Sequence, residues 1–277
     1  MSDKLMSRRS FLVKAGAVAG AASVAGLVMA ERPSRAEAVG TAIPWPYPTD
    51  PALQPDPAKI AGRGYEVYYV AGCAEGAWWP LVEFLAASYP DTWGTLPKNV
   101  FKFGGGGVGS WGTLCGTLNG SAAIIAMAGA PVKITDEVFQ YYAETPLPTN
   151  GAERAVAAGT WTPTPFPPAA SVPSPLPNVP TSTAHSQLCH SSLSQWTMTS
   201  GAALGSPEHK DRCGKATFDV AFKTATLLNA YFANNAHVLP PGTLDPTVAA
   251  CNACHTSSLG KMACDSCHDQ VPGHALP

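Results

Sequence analysis

Apolar positions along the chain recur mostly at helical spacing. Phe218, Ala221, Phe222, Ala225, Leu228 and Phe232 repeat every three or four residues, which predicts a long amphipathic helix over 213–235. Shorter helical patterns cover 77–89, where Pro80 fits a first turn, and 114–127, rich in Ala, Leu and Ile. A further one spans 136–144, with Val138, Phe139, Tyr141 and Tyr142. The best strand pattern, 65–70, stands alone. A mainly α fold is expected, with no repeat of solenoid type.

Proline interrupts this pattern twice. Residues 39–60 hold six prolines and predict an extended arm; 146–180 hold ten and predict an extended insertion, laid over the surface or bridging to a partner subunit. A helical domain is thus expected over 61–240. The last stretch, 241–277, has almost no core-forming residues and needs a staple or a cofactor to fold.

Residues 1–38 read as an address. Ser7-Arg8-Arg9-Ser10-Phe11-Leu12-Val13-Lys14 matches a twin-arginine export signal, a small apolar run follows over 15–30, and Ala36-Glu37-Ala38 supplies an A-x-A cleavage site. The run is short for a ~20-residue membrane span and is Ala/Gly-rich, which favours a removed signal over an anchor. The mature chain is expected to start at Val39 and to work in the periplasm or outside the cell. No other segment suits a membrane span. Beyond residue 38 there remain eleven basic and sixteen acidic residues, a net charge of −5. That balance excludes a nucleic-acid partner, which needs clustered positive charge.

Chemistry enters through the cysteines. Cys251-Asn252-Ala253-Cys254-His255 and Cys264-Asp265-Ser266-Cys267-His268 are both C-x-x-C-H, the attachment sequence of haem c. Two thiols at this spacing reach the two vinyl groups of one porphyrin, and the adjacent imidazole meets the iron from the same face. His255 and His268 would be the proximal ligands. A zinc ribbon needs a longer gap than the nine residues between the pairs and leaves both histidines idle. Disulfides suit an oxidising compartment but also leave both histidines unexplained. Eight residues separate His255 from Cys264, so the two haems lie within about 30 Å and closer if the chain turns.

His185, His190, His209, His237 and His274 remain for the distal positions. His237, between the long helix and the first motif, and His190, beside Cys189 on an expected helix, are the first candidates. Two imidazoles on each iron would close it for electron transfer.

The other cysteines, Cys73, Cys115, Cys189 and Cys213, fit no local metal motif. Cys73, Cys115 and Cys213 each fall at an expected helix start, where a thiolate is favoured. Four converging thiolates would make an iron–sulfur site; two structural disulfides or buried thiols explain the spacing equally well. Gly107-Val108-Gly109-Ser110-Trp111-Gly112 matches G-x-G-x-x-G but has no strand before it, so a nucleotide site is discarded. The glycines are expected to allow close backbone approach around the cysteines. Trp78, Trp79, Trp111 and Trp196 are expected to pack in the core or against a cofactor.

Several of these stretches together resemble a known family. Gly72-Cys73-Ala74, Gly112-Thr113-Leu114-Cys115-Gly116, Leu188-Cys189-His190-Ser191-Ser192 with Trp196, and Arg212-Cys213-Gly214-Lys215 through Leu227-Leu228-Asn229 resemble the redox-active family named for its Gly-Cys-Ala motif. With two C-x-x-C-H motifs appended, the whole from about residue 61 onward resembles the split-Soret cytochromes c. The resemblance implies a homodimer of mainly helical subunits with two stacked, bis-His haems c in each. It also implies an iron–sulfur centre built from Cys73, Cys115, Cys189 and Cys213, and a distal haem ligand, with His190 as candidate, given across the dimer. The expected function is electron transfer to a redox partner protein. The alternatives are an enzyme acting on a small inorganic substrate and a subunit of a haem-stacked conducting filament.

Overall fold

The computed structural model describes residues 43–164 and 172–234. The export signal, 165–171 and the whole 241–277 segment lie outside the described residues. Six α-helices organise the rest: α1 Pro57–Ser88, α2 Gly116–Met127, α3 Val132–Glu144, α4 Gly151–Ala157, α5 Cys189–Ser200 and α6 Pro207–Asn234. A short 3-10 turn at Pro51–Leu53 precedes them, and two more at Trp93–Thr95 and Lys102–Gly104 lie between α1 and α2. Among the described residues β pairing is limited to two isolated bridges, Leu114 with Leu188 and Leu147 with Ser182.

α1 is not one rod. It starts at Asp56, whose carboxylate accepts from the Ala58 N–H (2.9 Å), with Pro57 at the first helical position. At Gly72 the backbone takes φ 84°, ψ 174°, a region open in practice only to glycine. There the chain folds back, so Arg63 reaches Glu83, twenty residues later, with Nε–Oε2 at 2.7 Å. A straight helix would separate them by about 30 Å. The two arms touch backbone to backbone: a Cβ on Gly64 would lie 2.8 Å from the Gly76 carbonyl oxygen.

α6 packs along this hairpin and α2 crosses its second arm. α3 lies against α2 and α6, and α4 against α6. Trp78, Leu81, Leu85, Leu118, Ile124, Ile134, Val138, Tyr142, Val220 and Leu228 form the shared core. Two polar clamps fasten the loops to α6. Buried Lys215 donates to Glu153 (2.6 Å) and to the Leu176 carbonyl, and pairs with Asp211 (3.0 Å), which also accepts from the Tyr65 hydroxyl (2.6 Å). Asp219 accepts from the Thr149 N–H (2.7 Å) and hydroxyl (2.5 Å).

Several sequence expectations need correction. The strand expected at 65–70 is helical, because Tyr65 and Val67 are buried on the first arm of α1 and tertiary packing overrides their β preference. Pro80 sits inside α1 rather than in a first turn, since helix resumes at Cys73. The expected arm of 39–60 is non-helical from 43 apart from the turn at Pro51–Leu53, but it gives way to α1 at Pro57. The insertion of 146–180 is not extended throughout, for it contains α4. α6 begins at Pro207, so Cys213 lies well inside it; Phe222 is 42% exposed although its spacing placed it on the apolar face.

The arm is stitched down rather than loose. Trp45 N–H donates to the Met127 carbonyl (2.7 Å), Trp93 Nε1–H to that of Pro46 (2.7 Å), and the Tyr47 hydroxyl to Asn229 (2.7 Å). Tyr47 also stacks on Phe232 with ring centres 4.7 Å apart.

Two outcomes follow from these features. Gly72→Ala should lower stability by about 1–3 kcal/mol through backbone strain. The closest atom to the added Cβ would be the Gly105 Cα at 3.6 Å, so no clash contributes. Denaturant melts should show a lower midpoint with an unchanged slope. Burial raises the Asp219 carboxyl to about 6, so the fold keeps a proton that the unfolded chain has already released. The contribution of Asp219 is therefore full at low pH and is lost as pH rises through 6. Relative to Asp219→Asn, wild type should lose about 3 kcal/mol between about pH 4 and pH 7. A difference independent of pH would refute this.

Candidate metal centre

Four cysteines arrive at one place from four elements. Cys73 is the first residue past the Gly72 reversal, and Cys115 precedes α2 as its N-cap. Cys189 opens α5, and Cys213 faces inward from the second turn of α6. A short antiparallel pairing sets two of them side by side: Cys115 N–H donates to the Gln187 carbonyl (3.0 Å) and Cys189 N–H to that of Thr113 (2.7 Å). His190 N–H continues the pairing to Gly112 (3.0 Å).

Glycine makes the approach possible. A side chain at Gly116 would run into the Cys73 sulfur, and a Cβ on Gly107, whose φ is 71°, would lie 2.8 Å from the Cys189 Cβ. The loop 104–112 can therefore close over the sulfurs only without side chains at these points.

All four cysteines are free thiols, so the disulfide alternative does not hold in this structure. Cys115 is the hub. Its thiol is held well below the usual range by the Cys189 and Cys73 thiols, with Thr117 and Tyr142 nearby as further donors; its sulfur is 3.3 Å from the Thr117 Oγ1. Cys73 and Cys189 are pushed up, first by giving their protons toward Cys115 and then by burial. Burial also pushes up Cys213, against the pull of Arg212. Its depth inside α6 removes the helix-start advantage expected for it.

Among the described residues no three Cys, His, Asp or Glu side chains form a group ready to hold a metal ion. The Cys73 and Cys189 thiols instead turn toward the Cys115 sulfur, and Cys213 acts on it through space. A donor set of thiols alone suits zinc, copper(I) or an iron–sulfur cluster rather than a hard cation. The polar surroundings fit a group that brings negative charge. Arg212 is buried beside Cys213, and no carboxylate pairs with it among the described residues. Tyr142 is fully buried, its hydroxyl lacks a hydrogen bond of normal length, and it faces Cys115 and Ser192.

The split-Soret cytochrome c of Desulfovibrio desulfuricans is 28% identical over 245 residues, 84% of this chain and 81% of its own length. A solved structure of the split-Soret cytochrome c from that species, reported for its novel iron centre, matches with a TM-score of 0.66 at 25% identity. The chain is a homologue of split-Soret cytochrome c. No protein-family model matches it. The structural match covers 82% of this chain and 91% of the split-Soret cytochrome, so the likeness is not confined to the Gly-Cys-Ala stretch. The mainly helical fold accords with that cytochrome.

The remaining candidates divide. His190 is exposed on the first turn of α5, at the rim of the cysteine site. His209 is held by a bond from the Gly205 N–H to its Nδ1 (2.7 Å), and burial lowers its pKa. Cys251, Cys254, His255, Cys264, Cys267, His268 and His237 lie outside the described residues. Trp78, Trp79 and Trp196 are core residues, but Trp111 is 84% exposed at the tip of the glycine loop, contrary to expectation. No described helix is long and apolar enough to cross a membrane. Sequence reasoning gave no role at the site to Thr117, Ser192 or Tyr142; for Thr117 and Ser192 a hydroxyl two or three residues past a cysteine was the available signal.

If the thiols are free as described, alkylation of denatured, chelator-treated protein should place one adduct on each of Cys73, Cys115, Cys189 and Cys213. Any two of them found joined without oxidant would contradict the arrangement.

Proposed function

We propose that this chain is an exported dihaem c-type cytochrome of the split-Soret kind, moving electrons through two closely stacked haems. The observation that carries this reading is the union, in one homologue of split-Soret cytochrome c, of two C-x-x-C-H motifs with four free thiols gathered beneath a glycine loop. Cys251 and Cys254 would hold one haem with His255 as proximal ligand, and Cys264 and Cys267 the other with His268. His237 and His190 are the distal candidates; the exposure of His190 leaves its imidazole open to a haem from outside its own domain core.

Cys73, Cys115, Cys189 and Cys213 would hold an iron–sulfur centre, which supplies one-electron storage when bound. The chain's own part is to keep the site dry, to deliver thiolates and to balance their charge. Cys115, toward which the Cys73 and Cys189 thiols turn, sits at the centre of the set, and a thiolate rather than a thiol binds metal. The working form would be a homodimer exported by the twin-arginine route to the periplasm, passing electrons to a redox partner protein.

Protein matured with haem c machinery should show a reduced α-band of haem c, a distorted or split Soret band and two haems per chain. Cys115→Ser should keep both haems and lose the non-haem iron. Absence of a Soret band would remove the haem reading; ferric haem that is high-spin in the electron spin resonance spectrum would remove the bis-His form.

A further inference from the structure

Arg212 presents a charge problem that no carboxylate among the described residues solves. It is 3% exposed, and a buried cation without a counter-charge is strongly disfavoured. Three carboxylates of α4 and α6 are committed elsewhere. Asp211, its neighbour in sequence, is taken by Tyr65, Lys215 and the Leu176 N–H. Glu153 is taken by Lys215, and Asp219 by Thr149. The guanidinium itself donates from Nη2 to the Ser192 hydroxyl (2.6 Å), holds Nη1 3.9 Å from the Cys213 sulfur, and leaves Nε without a partner.

The Tyr142 hydroxyl, which has no hydrogen bond of normal length, lies by the same cysteines. Two buried donors, Nε of Arg212 on α6 and the Tyr142 hydroxyl on α3, are thus left incompletely bonded around one set of sulfurs. Negative charge on those sulfurs would strengthen the bonding of both.

We infer that Arg212 is a positioning residue that sets the reduction potential of the cysteine centre, as a fixed positive charge held against its sulfurs by Ser192. This rests on the iron–sulfur reading of the four cysteines and deepens it. Each reduction adds one electron to the centre and makes or breaks no bond, with a haem c as the class of donor or acceptor. The added charge is stabilised by a guanidinium that is already positive, so no proton needs to follow it. Net charge and hydrogen bonds to sulfur are the established means by which a protein sets such potentials. The guanidinium–Ser192 bond matters because it fixes the distance over which that charge acts.

The test compares wild type with R212Q and R212K as full, haem-loaded protein. Non-haem iron and sulfide per chain are measured first, then the midpoint of the centre by electron spin resonance titration. R212Q is expected to retain iron and to be at least tenfold less reduced at a given potential, a fall of about 59 mV for one electron. R212K should recover at least half of that shift. Iron-loaded R212Q with a wild-type midpoint overturns the inference alone; so does R212K that recovers nothing, which would assign the effect to packing. Wild type without non-haem iron overturns the iron–sulfur reading and this inference with it. Should R212Q not fold, wild type labelled with isotopic arginine decides. A nitrogen coupling to the centre's spin signal supports the contact, and its absence overturns it.

Discussion

The reversal at Gly72 is the constraint on which the other elements depend. One residue with φ 84° turns what would be a single long helix into two arms in contact, and the close pairing of Gly64 with Gly76 lets them approach at backbone distance. The Arg63 guanidinium joins the arms by reaching both Glu66 and Glu83. The surface so formed is the bed on which α6 lies and which α2 crosses. The same turn decides where Cys73 faces, so the hairpin and the cysteine site are consequences of one backbone conformation.

Around that site the structure follows a consistent electrostatic logic. Carboxylates are each engaged away from the sulfurs by amides, hydroxyls or a cation: Glu75 by the Asn99 and Phe101 N–H groups, Asp219 by Thr149, Asp211 by Tyr65 and Lys215. The groups left facing the sulfurs are hydroxyls, backbone amides and one guanidinium. Such a shell favours negative charge on sulfur and disfavours a hard cation with oxygen ligands.

The sequence made part of this legible. The 3–4 spacing along 218–232 was enough to find α6, because a long buried stripe has no other period to follow. The Tyr65–Tyr69 stretch misled because aromatic and β-branched residues favour strands locally, while here they are held by helix packing against Trp161 and Asp211. The extent of α6 was hidden by its polar opening, where Glu208, Lys210 and Asp211 break the apolar rhythm and Pro207 alone marks a start. The neighbouring positions of Cys115 and Cys189 could not be read from spacing, since a two-residue pairing across seventy positions leaves no periodic trace. Arg212 was visible as part of a motif, but its lack of a carboxylate among the described residues is a fact about three dimensions.

The fastening of the arm places the end of the work at the beginning of the chain. Tyr47 leans on Asn229, 182 residues later, and Gln54 donates to the carbonyl of the same residue. During synthesis the bonds of Tyr47 and Gln54 cannot form until α6 has left the ribosome, whereas Met127 and Trp93, which hold Trp45 and Pro46, emerge earlier. Closure of that end of the seam is therefore a late event. Tyr47 and Gln54 thus act as a seal on α6.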